Sequence, residues 1–428
     1  MKMPFARAHD YSLSDSFWRA FTATVWNRKP VVFRQPFASP IATENEVYDA
    51  LLNQLSQQAA DPDRDAYENL SFHIDNARLQ SGLRRYLPQT SDRSLARYAA
   101  RMQQNLKGRF GLTAGNFHIP LGWDAWNRFR KFLSGLYRHA GVPGSYAEAV
   151  LFLGNYENSP QGVHLDDADV FCFVVSGRKR IRLWPARTFS GHPKLTRLSR
   201  REYSPHLASS ICLDGEPGDV LYWPASYWHV GESSGGVDAS ISLALHYGDN
   251  LPRRLNPAFA QIVGDAVSHV TTSHTPRYRP GDSSREDAIV KIVARETTWR
   301  NLRMSLERTR LESKSAFGFS DTLPGISGPG LDSNRTLRVD PRLPIEYKRL
   351  GREMIVAVAG RSFVMPFTSQ IRSLFDTLNV GEQLLIKDIF RKYCIPPKRK
   401  RVVRVDRRAL HHLLSILQDA GAFVPAAQ

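Results

Sequence analysis

The sequence predicts an α+β chain built on an all-β barrel. Helices surround the barrel, a helical bundle follows it, and a small α/β unit ends the chain. Three observations carry this. Seven short β-rich runs fall within residues 149–248: AVLFL, DVFCFVV, KRIRLWP, SSICL, DVLYWP, HVGES and ASISLALHY. Gly and Pro turns separate them, as in a barrel or jelly roll. Apolar residues recur at helical spacing before and after that region, and from residue 346 onward β-rich and helical runs alternate.

Taken in order, Leu13, Phe17, Phe21 and Val25 predict a first helix, with Ser12 or Ser14 as its cap. Pro30 to Arg34 reads as a short strand. Residues 42–107 read as mainly helical, from Glu44 to Leu55 and from Leu95 to Leu106, with Ser71 to Ile74 as a candidate strand. This segment either caps a pocket or simply packs. Residues 123–141 form an amphipathic helix whose stripe is Trp126, Phe129, Phe132, Leu133 and Leu136, stopped by Gly141. The strand around AVLFL then leads into the barrel. Within the barrel, Gly215 to Asp219 is a tight turn that sets Val220 to Pro224 on a strand.

After the barrel, Asn256 to Val270 and Ser284 to Thr309 read as basic helices. Residues 313–345 are rich in Gly, Ser, Pro and Asp and read as a linker or long loop. In the last unit, Met354 to Val358 and Ser362 to Met365 suggest a hairpin. Ser369 to Leu378, Glu382 to Tyr393 and Ala409 to Ala420 suggest three helices. Pro397 to Arg401, with Arg404, Arg407 and Arg408, is a basic stretch that would meet phosphate, an acidic peptide or only solvent. The domain boundaries are therefore 1–251, 252–312, 313–345 and 346–428.

At 428 residues, with 42% hydrophobic and 23% charged residues, the composition is globular. No run of eighteen apolar residues suggests a membrane span, and the N-terminus lacks an apolar signal core. The three cysteines, Cys172, Cys212 and Cys394, are too far apart for a metal knuckle and suit a reducing, cytoplasmic setting. The net charge of +17 points to an acidic or nucleic-acid-rich partner, or to a solvated arginine-rich surface.

The chemistry concentrates in GVHLDDADVFCFVVSGRKRIRLW, residues 162–184. Alternate residues of a strand share a face, so His164 and Asp166 project into one pocket. His229, in GDVLYWPASYWHVGES, supplies a second imidazole. Two histidines and a carboxylate on one side of a metal are the facial triad of non-haem Fe(II) oxygenases. Structural zinc would prefer four closed ligands, often cysteine. Lys179, fifteen residues after His164, is separated by strand alternation from Arg178 and Arg180, and Arg182 is the alternative cation.

HLDDADVFCFVVSGRKRIRLWP followed by GDVLYWPASYWHVGES resembles the JmjC branch of the cupin superfamily, notably ribosomal oxygenases and the asparaginyl hydroxylase that inhibits hypoxia-inducible factor. The resemblance implies a double-stranded β-helix and a winged-helix-like C-terminal domain. It implies Fe(II) on His164, Asp166 and His229, and Lys179 on the distal carboxylate of 2-oxoglutarate as co-substrate. Ser240 or Ser242 would assist the co-substrate. Some members carry an Asn and a Tyr on the strand before the metal motif; here that strand is apolar, with Asn155 and Tyr156 after it.

Asp167 and Asp169 flank the triad as a candidate acidic pair for a basic substrate side chain. Trp223, Tyr227 and Trp228 are expected to pack the barrel, or, for the last two, to line the entrance. The implied activity is hydroxylation of a ribosomal protein or of a natural-product precursor peptide. The alternatives are N-methyl demethylation and a non-enzymatic metal-sensing regulator. A homodimer through the helical region and nucleic-acid contact are further partner expectations, the second not favoured.

Overall fold

Ser14 accepts a hydrogen bond from the Phe17 N–H at 3.2 Å, and helix α1 (Asp15–Thr24) starts there. Its apolar face buries Phe17, Trp18 and Phe21. The structure, a computed structural model, describes residues 7–58, 69–189, 200–234, 236–248, 251–268, 291, 294–295, 298–319, 322–325, 330–394 and 405–424. The chain divides into two compact units, Met1–Gly248 and Asp249–Gln428.

In the first unit, α1 is followed by β1 (Val31–Phe33), α2 (Glu44–Gln58), β2 (Leu70–Ile74), β3 (Ala77–Arg78), α3 (Leu95–Asn105), β4 (Phe110–Ala114) and α4 (His118–Ala140). Next come β5 (Tyr146–Gly154), β6 (Ala168–Ser176), β7 (Lys179–Pro185), the single-turn α5 (Arg200–Tyr203), β8 (Ile211–Gly215), β9 (Val220–Trp223), β10 (Tyr227–Ser233) and β11 (Asp238–His246). Eight strands make one antiparallel sheet in the order β1-β9-β6-β11-β5-β4-β2-β3. Three make a second, β10-β7-β8. Between them lies an apolar cluster that includes Val170 and Cys172 of β6, Ile181 and Leu183 of β7, Leu213 of β8 and Leu221 of β9. This is the antiparallel two-sheet barrel that the period of the β runs predicts.

Strand alternation divides the large sheet into two faces. On β5, Ala147, Ala149, Leu151 and Leu153 are fully buried, while the residues between them are half-buried. The outer face is covered by helices. Trp18 of α1 meets Phe132 of α4 edge-on at 5.2 Å between centroids, and Phe132 meets Phe171 of β6 at 5.1 Å.

The segment 42–107 is less helical than its sequence suggests. Leu70–Ile74 is a full strand, and β2 with β3 extends the large sheet beyond β4. Helix α4 starts at His118, ahead of the expected 123. It breaks at Gly122, whose φ of 81° is open to glycine at little cost.

In the second unit, helices α6 (Leu251–Ser268) and α7 (Trp299–Ser315) precede the small sheet. The part of the expected basic helix at 284–290 lies outside the described residues. Then come β12 (Thr336–Leu337), β13 (Glu346–Leu350), β14 (Glu353–Val358), β15 (Arg361–Pro366), α8 (Ser369–Asn379), β16 (Leu384–Leu385), α9 (Ile386–Tyr393) and α10 (Arg407–Asp419). The expected hairpin is a three-stranded meander, β13-β14-β15. Thr368 and Asp406 cap α8 and α10. The stretch 313–345 differs from a plain linker: Phe317, Phe319, Leu323, Leu337 and Val339 are buried in it. The basic residues Lys398, Arg399, Lys400, Arg401 and Arg404 lie outside the described residues. No helix among the described residues is long and apolar enough to cross a membrane. Cys172, Cys212 and Cys394 are all free thiols.

The contact of α1 with α4 depends on Gly135. A Cβ there would come within 2.1 Å of Trp18 Nε1, on a side chain that is fully buried. Gly135→Val is expected to lower stability by about 1–3 kcal/mol, the usual cost of overpacking a filled core. Denaturant midpoints of the two proteins check this.

Candidate active site

His164 lies between β5 and β6, and two backbone hydrogen bonds fasten it to β10. Its N–H donates to the His229 carbonyl (3.0 Å), and the His229 N–H donates to the His164 carbonyl (2.8 Å). Residues paired in this way send their side chains to the same face. The two imidazole rings lie 4.2 Å apart, centroid to centroid. Each Nε2 is 3.5 Å from Asp166 Oδ2, and three ligand atoms, one from each residue, fall within 4.8 Å of one another. Both Nδ1 atoms are engaged: that of His164 with the Gly162 carbonyl (2.9 Å), that of His229 with the Tyr227 carbonyl (3.3 Å). Those carbonyls orient the rings and leave both Nε2 lone pairs aimed at a common point.

The electrostatics fit a cation there. Burial, reinforced by His164, pushes the His229 imidazole down to about 3, so it is neutral and ready to ligate. Burial opposes ionisation of Asp166, but the hydrogen bond and charge of His164 hold its carboxyl down to about 2. Burial also works against the charged form of His164, yet Asp166 outweighs it and the pKa is raised. Two imidazoles and one carboxylate on one side suit a divalent first-row metal that keeps its other positions open.

The three residues share a cavity of about 420 Å³ between the two sheets, within the range of small-molecule sites. Val150 and Phe152 of β5, Val170 of β6 and Ile181 of β7 form apolar walls. Lys179 also lines it. Its ammonium donates to Asp238 Oδ1 (3.1 Å) and to the Tyr156 hydroxyl. Burial opposes its charge, but Asp238 and Tyr156 hold its pKa above the usual lysine value. Lys179 pairs with Ser233 in register, but its side chain folds back over Gly231, where a Cβ would lie 3.6 Å from Nζ. Gly231 is two residues from His229, so the ammonium lies on the order of 7 Å along the strand from that ligand. That is the scale of a short dicarboxylate.

Arg182, the alternative cation, faces the other way. It bonds Glu232 Oε2 at 3.1 Å and is not in the cavity wall. Strand alternation separates it from Lys179 and Ile181, as it separates Arg178 and Arg180. Ser242 lines the cavity, whereas Ser240 is fully buried outside its wall.

The expected acidic pair is split. Asp167 lines the cavity and accepts from His246 Nδ1 at 2.6 Å. Asp169 turns to the opposite face of β6, where the Tyr222 hydroxyl donates to it at 2.9 Å and burial pushes its carboxyl up to about 6. Trp223 packs in the core between the sheets; Tyr227 packs against that core, and Trp228 against a neighbouring apolar cluster. Neither Tyr227 nor Trp228 is in the cavity wall.

Four residues that the sequence did not mark belong to this site or support it. Asp238 pairs Lys179, and Gly231 makes room for it. Glu148, on the cavity face of β5, lies 3.5 Å from His246 Nε2, and His246 stacks on Tyr146 at 3.9 Å. The period-two pattern of β5 and β11 would have put Glu148 and His246 on the inner face. Tyr156, noted only as following the apolar strand, reaches the cavity through its hydroxyl.

The cluster makes a direct prediction. The wild-type chain is expected to take up about one divalent transition-metal ion, and Asp166→Ala far less, since one of three ligands is gone. Elemental analysis after gel filtration measures the metal. A matching unfolding midpoint for the two metal-free proteins shows that the loss is local.

No curated protein matches the chain. Among solved structures, the chain is similar to YcfD of E. coli. The match covers 99% of this chain and 100% of that one, at 16% identity and a TM-score of 0.50. A second structure, described as E. coli ribosomal oxygenase YcfD, matches over 99% of both chains, again at 16% identity and a TM-score of 0.50. At that identity the likeness is one of fold. Residues 137–251, which hold the cluster and all the described residues of the cavity wall, match the JmjC domain family. The two-sheet barrel thus contains a stretch that matches the JmjC domain family, and the chain is similar in fold to a protein described as a ribosomal oxygenase.

Proposed function

We propose that the chain is an Fe(II)- and 2-oxoglutarate-dependent oxygenase that hydroxylates a side chain of a protein or peptide. The buried ammonium of Lys179 carries this reading. It is a fixed cation in the same apolar cavity as a three-ligand cluster, at a spacing that suits a short dicarboxylate. A metal sensor has no use for such a cation. His164, Asp166 and His229 would hold the iron. Bound there with the 2-oxo acid, it would supply the activated dioxygen that oxidises a carbon–hydrogen bond.

The rest is the work of the chain. Lys179 binds the distal carboxylate by a charge-assisted hydrogen bond. Tyr156 keeps the ammonium in place, and the Ser242 hydroxyl offers a further polar contact on the wall. Val150, Phe152, Val170 and Ile181 exclude water and so strengthen each of these interactions. Asp167 and Glu148 present acid to the incoming substrate, which suits a basic side chain.

The likeness to a protein titled a ribosomal oxygenase supports a ribosomal protein as substrate, with a precursor peptide as the other candidate. A winged-helix-like role for residues 346–428 belongs to the same reading. The meander β13-β14-β15 with α8, α9 and α10 would bind the macromolecular partner, and residues 252–312 would serve self-association.

The test concerns the anchor. Lys179→Met alone would leave Asp238 buried without its partner, a costly defect in itself. Lys179→Met with Asp238→Asn removes both charges and keeps the volume. The double variant is expected to lose about thirtyfold or more in 2-oxoglutarate affinity, roughly 2 kcal/mol, while its metal content holds. The 2-oxoglutarate dependence of succinate formation measures this. A loss within about threefold, under roughly 1 kcal/mol, would mean that the co-substrate is anchored elsewhere.

A further inference from the structure

The pair behind the anchor has a consequence for how any acid enters the cavity. Lys179 and Asp238 form an ion pair with side-chain exposures of 3% and 1%. Asp238 opens β11 and is not part of the cavity wall; it lies behind the ammonium. Both of its oxygens are used, Oδ1 by Lys179 and Oδ2 by the Ser233 hydroxyl. Of the three N–H donors of the ammonium, one serves Asp238 and one Tyr156, which leaves one for the cavity.

This arrangement sets a charge problem. The inference rests on the reading of Lys179 as the anchor. A divalent metal and a dicarboxylate cancel each other, as do Asp166 and Lys179. Asp238 then remains as a buried negative charge with no counter-ion of its own. Two carboxylates would share one ammonium away from water, and in such sites one of them takes a proton. The titratable groups facing Asp238 are Lys179 from β7, Tyr156 from the segment after β5 and Cys172 from β6. Lys179 is already protonated, and burial keeps the phenol and the thiol neutral.

We infer that Asp238 is a proton-coupled counter-ion: ionised against Lys179 in the free protein, it takes up a proton from solvent when a 2-oxo dicarboxylate binds. No other bond forms or breaks in this step. Burial already raises the Asp238 pKa, although Lys179 and Ser233 pull it down. Asp238 is thus a positioning residue that also makes co-substrate affinity depend on pH. The sign follows: affinity falls as pH rises, because the proton to be taken up becomes scarcer.

The experiment titrates 2-oxoglutarate calorimetrically into the Fe(II)-loaded full chain without dioxygen, in two buffers of different ionisation enthalpy. The wild-type protein is expected to take up about one proton per ligand near neutral pH and to bind more weakly at about pH 8 than at about pH 6. Asp238→Asn should take up none, show a flat pH dependence and bind about tenfold or more tightly at the higher pH. A purely structural Asp238 would give the opposite, with no proton taken up by the wild type and weaker binding by the variant. Binding by the wild type without proton uptake overturns the inference and leaves the proposed function standing. No binding by the wild type overturns both. Should Asp238→Asn fail to fold, the wild-type proton count decides alone.

Discussion

Two reciprocal backbone hydrogen bonds between His164 and His229 hold the site together. They tie the segment that carries the His-x-Asp step to strand β10, and β10 is held in register on β7. That register pairs His229 with Leu183, Gly231 with Ile181 and Ser233 with Lys179. A slip of one residue would turn every side chain of β10 to the opposite face. His229 would then leave Asp166, and a side chain would stand where Gly231 leaves room for the ammonium. The ligand cluster and the cationic end of the cavity are therefore two results of one register.

The same alternation sorts the charges of β7 and β10. Glu232, between Gly231 and Ser233, is 2% exposed and points away from the cavity. It pairs with Arg182 at 3.1 Å and Arg180 at 3.8 Å, also bonds Arg200, and accepts from the Tyr203 hydroxyl at 3.0 Å. A buried carboxylate needs such partners. Glu232 thus occupies the arginines on the outer face of the small sheet. Among the described residues of the cavity wall, Lys179 is the one lysine or arginine, matched by Asp238. A cavity with one addressable cation has a defined end, whereas one lined by several arginines would bind acids in many poses.

The cluster was legible in the sequence because its logic is local. Strand period predicted a shared face for His164 and Asp166 and separated Lys179 from Arg178 and Arg180, while only the structure turns Arg182 away from the cavity. Asp238 was not legible, since it stands 59 residues from Lys179 and meets it only through the sheet pairing. Asp169 looked like a partner of Asp167, but Asp167 lies before β6, whereas inside β6 the cavity-lining Val170 leaves its neighbour Asp169 on the far side. The Gly- and Pro-rich run after residue 313 left linker and long loop open for another reason. Its composition reports a turning backbone, as at Phe317 (φ 58°) and Gly318 (φ 81°), and says nothing of burial. Phe317 and Phe319 are core residues in a segment that only looks like a tether. The strand Leu70–Ile74 was ambiguous because five residues give too short a period to separate strand from helix.

The chain carries a net charge of +17, yet the wall of its cavity near the ligand cluster holds Glu148, Asp166 and Asp167. These two facts act at different distances. At physiological salt the field of exposed charges fades over about 8 Å, so the net charge governs only how a large partner's surface is met. What enters the cavity is chosen by the groups that line it. An acidic cavity lining on a chain that is basic overall suits a partner that is anionic overall and offers a cationic side chain at the point of contact. A basic protein held on a polyanion has that character, as does a peptide with acidic flanks and one basic residue. Under the proposed function, the two levels of charge together favour a macromolecular substrate.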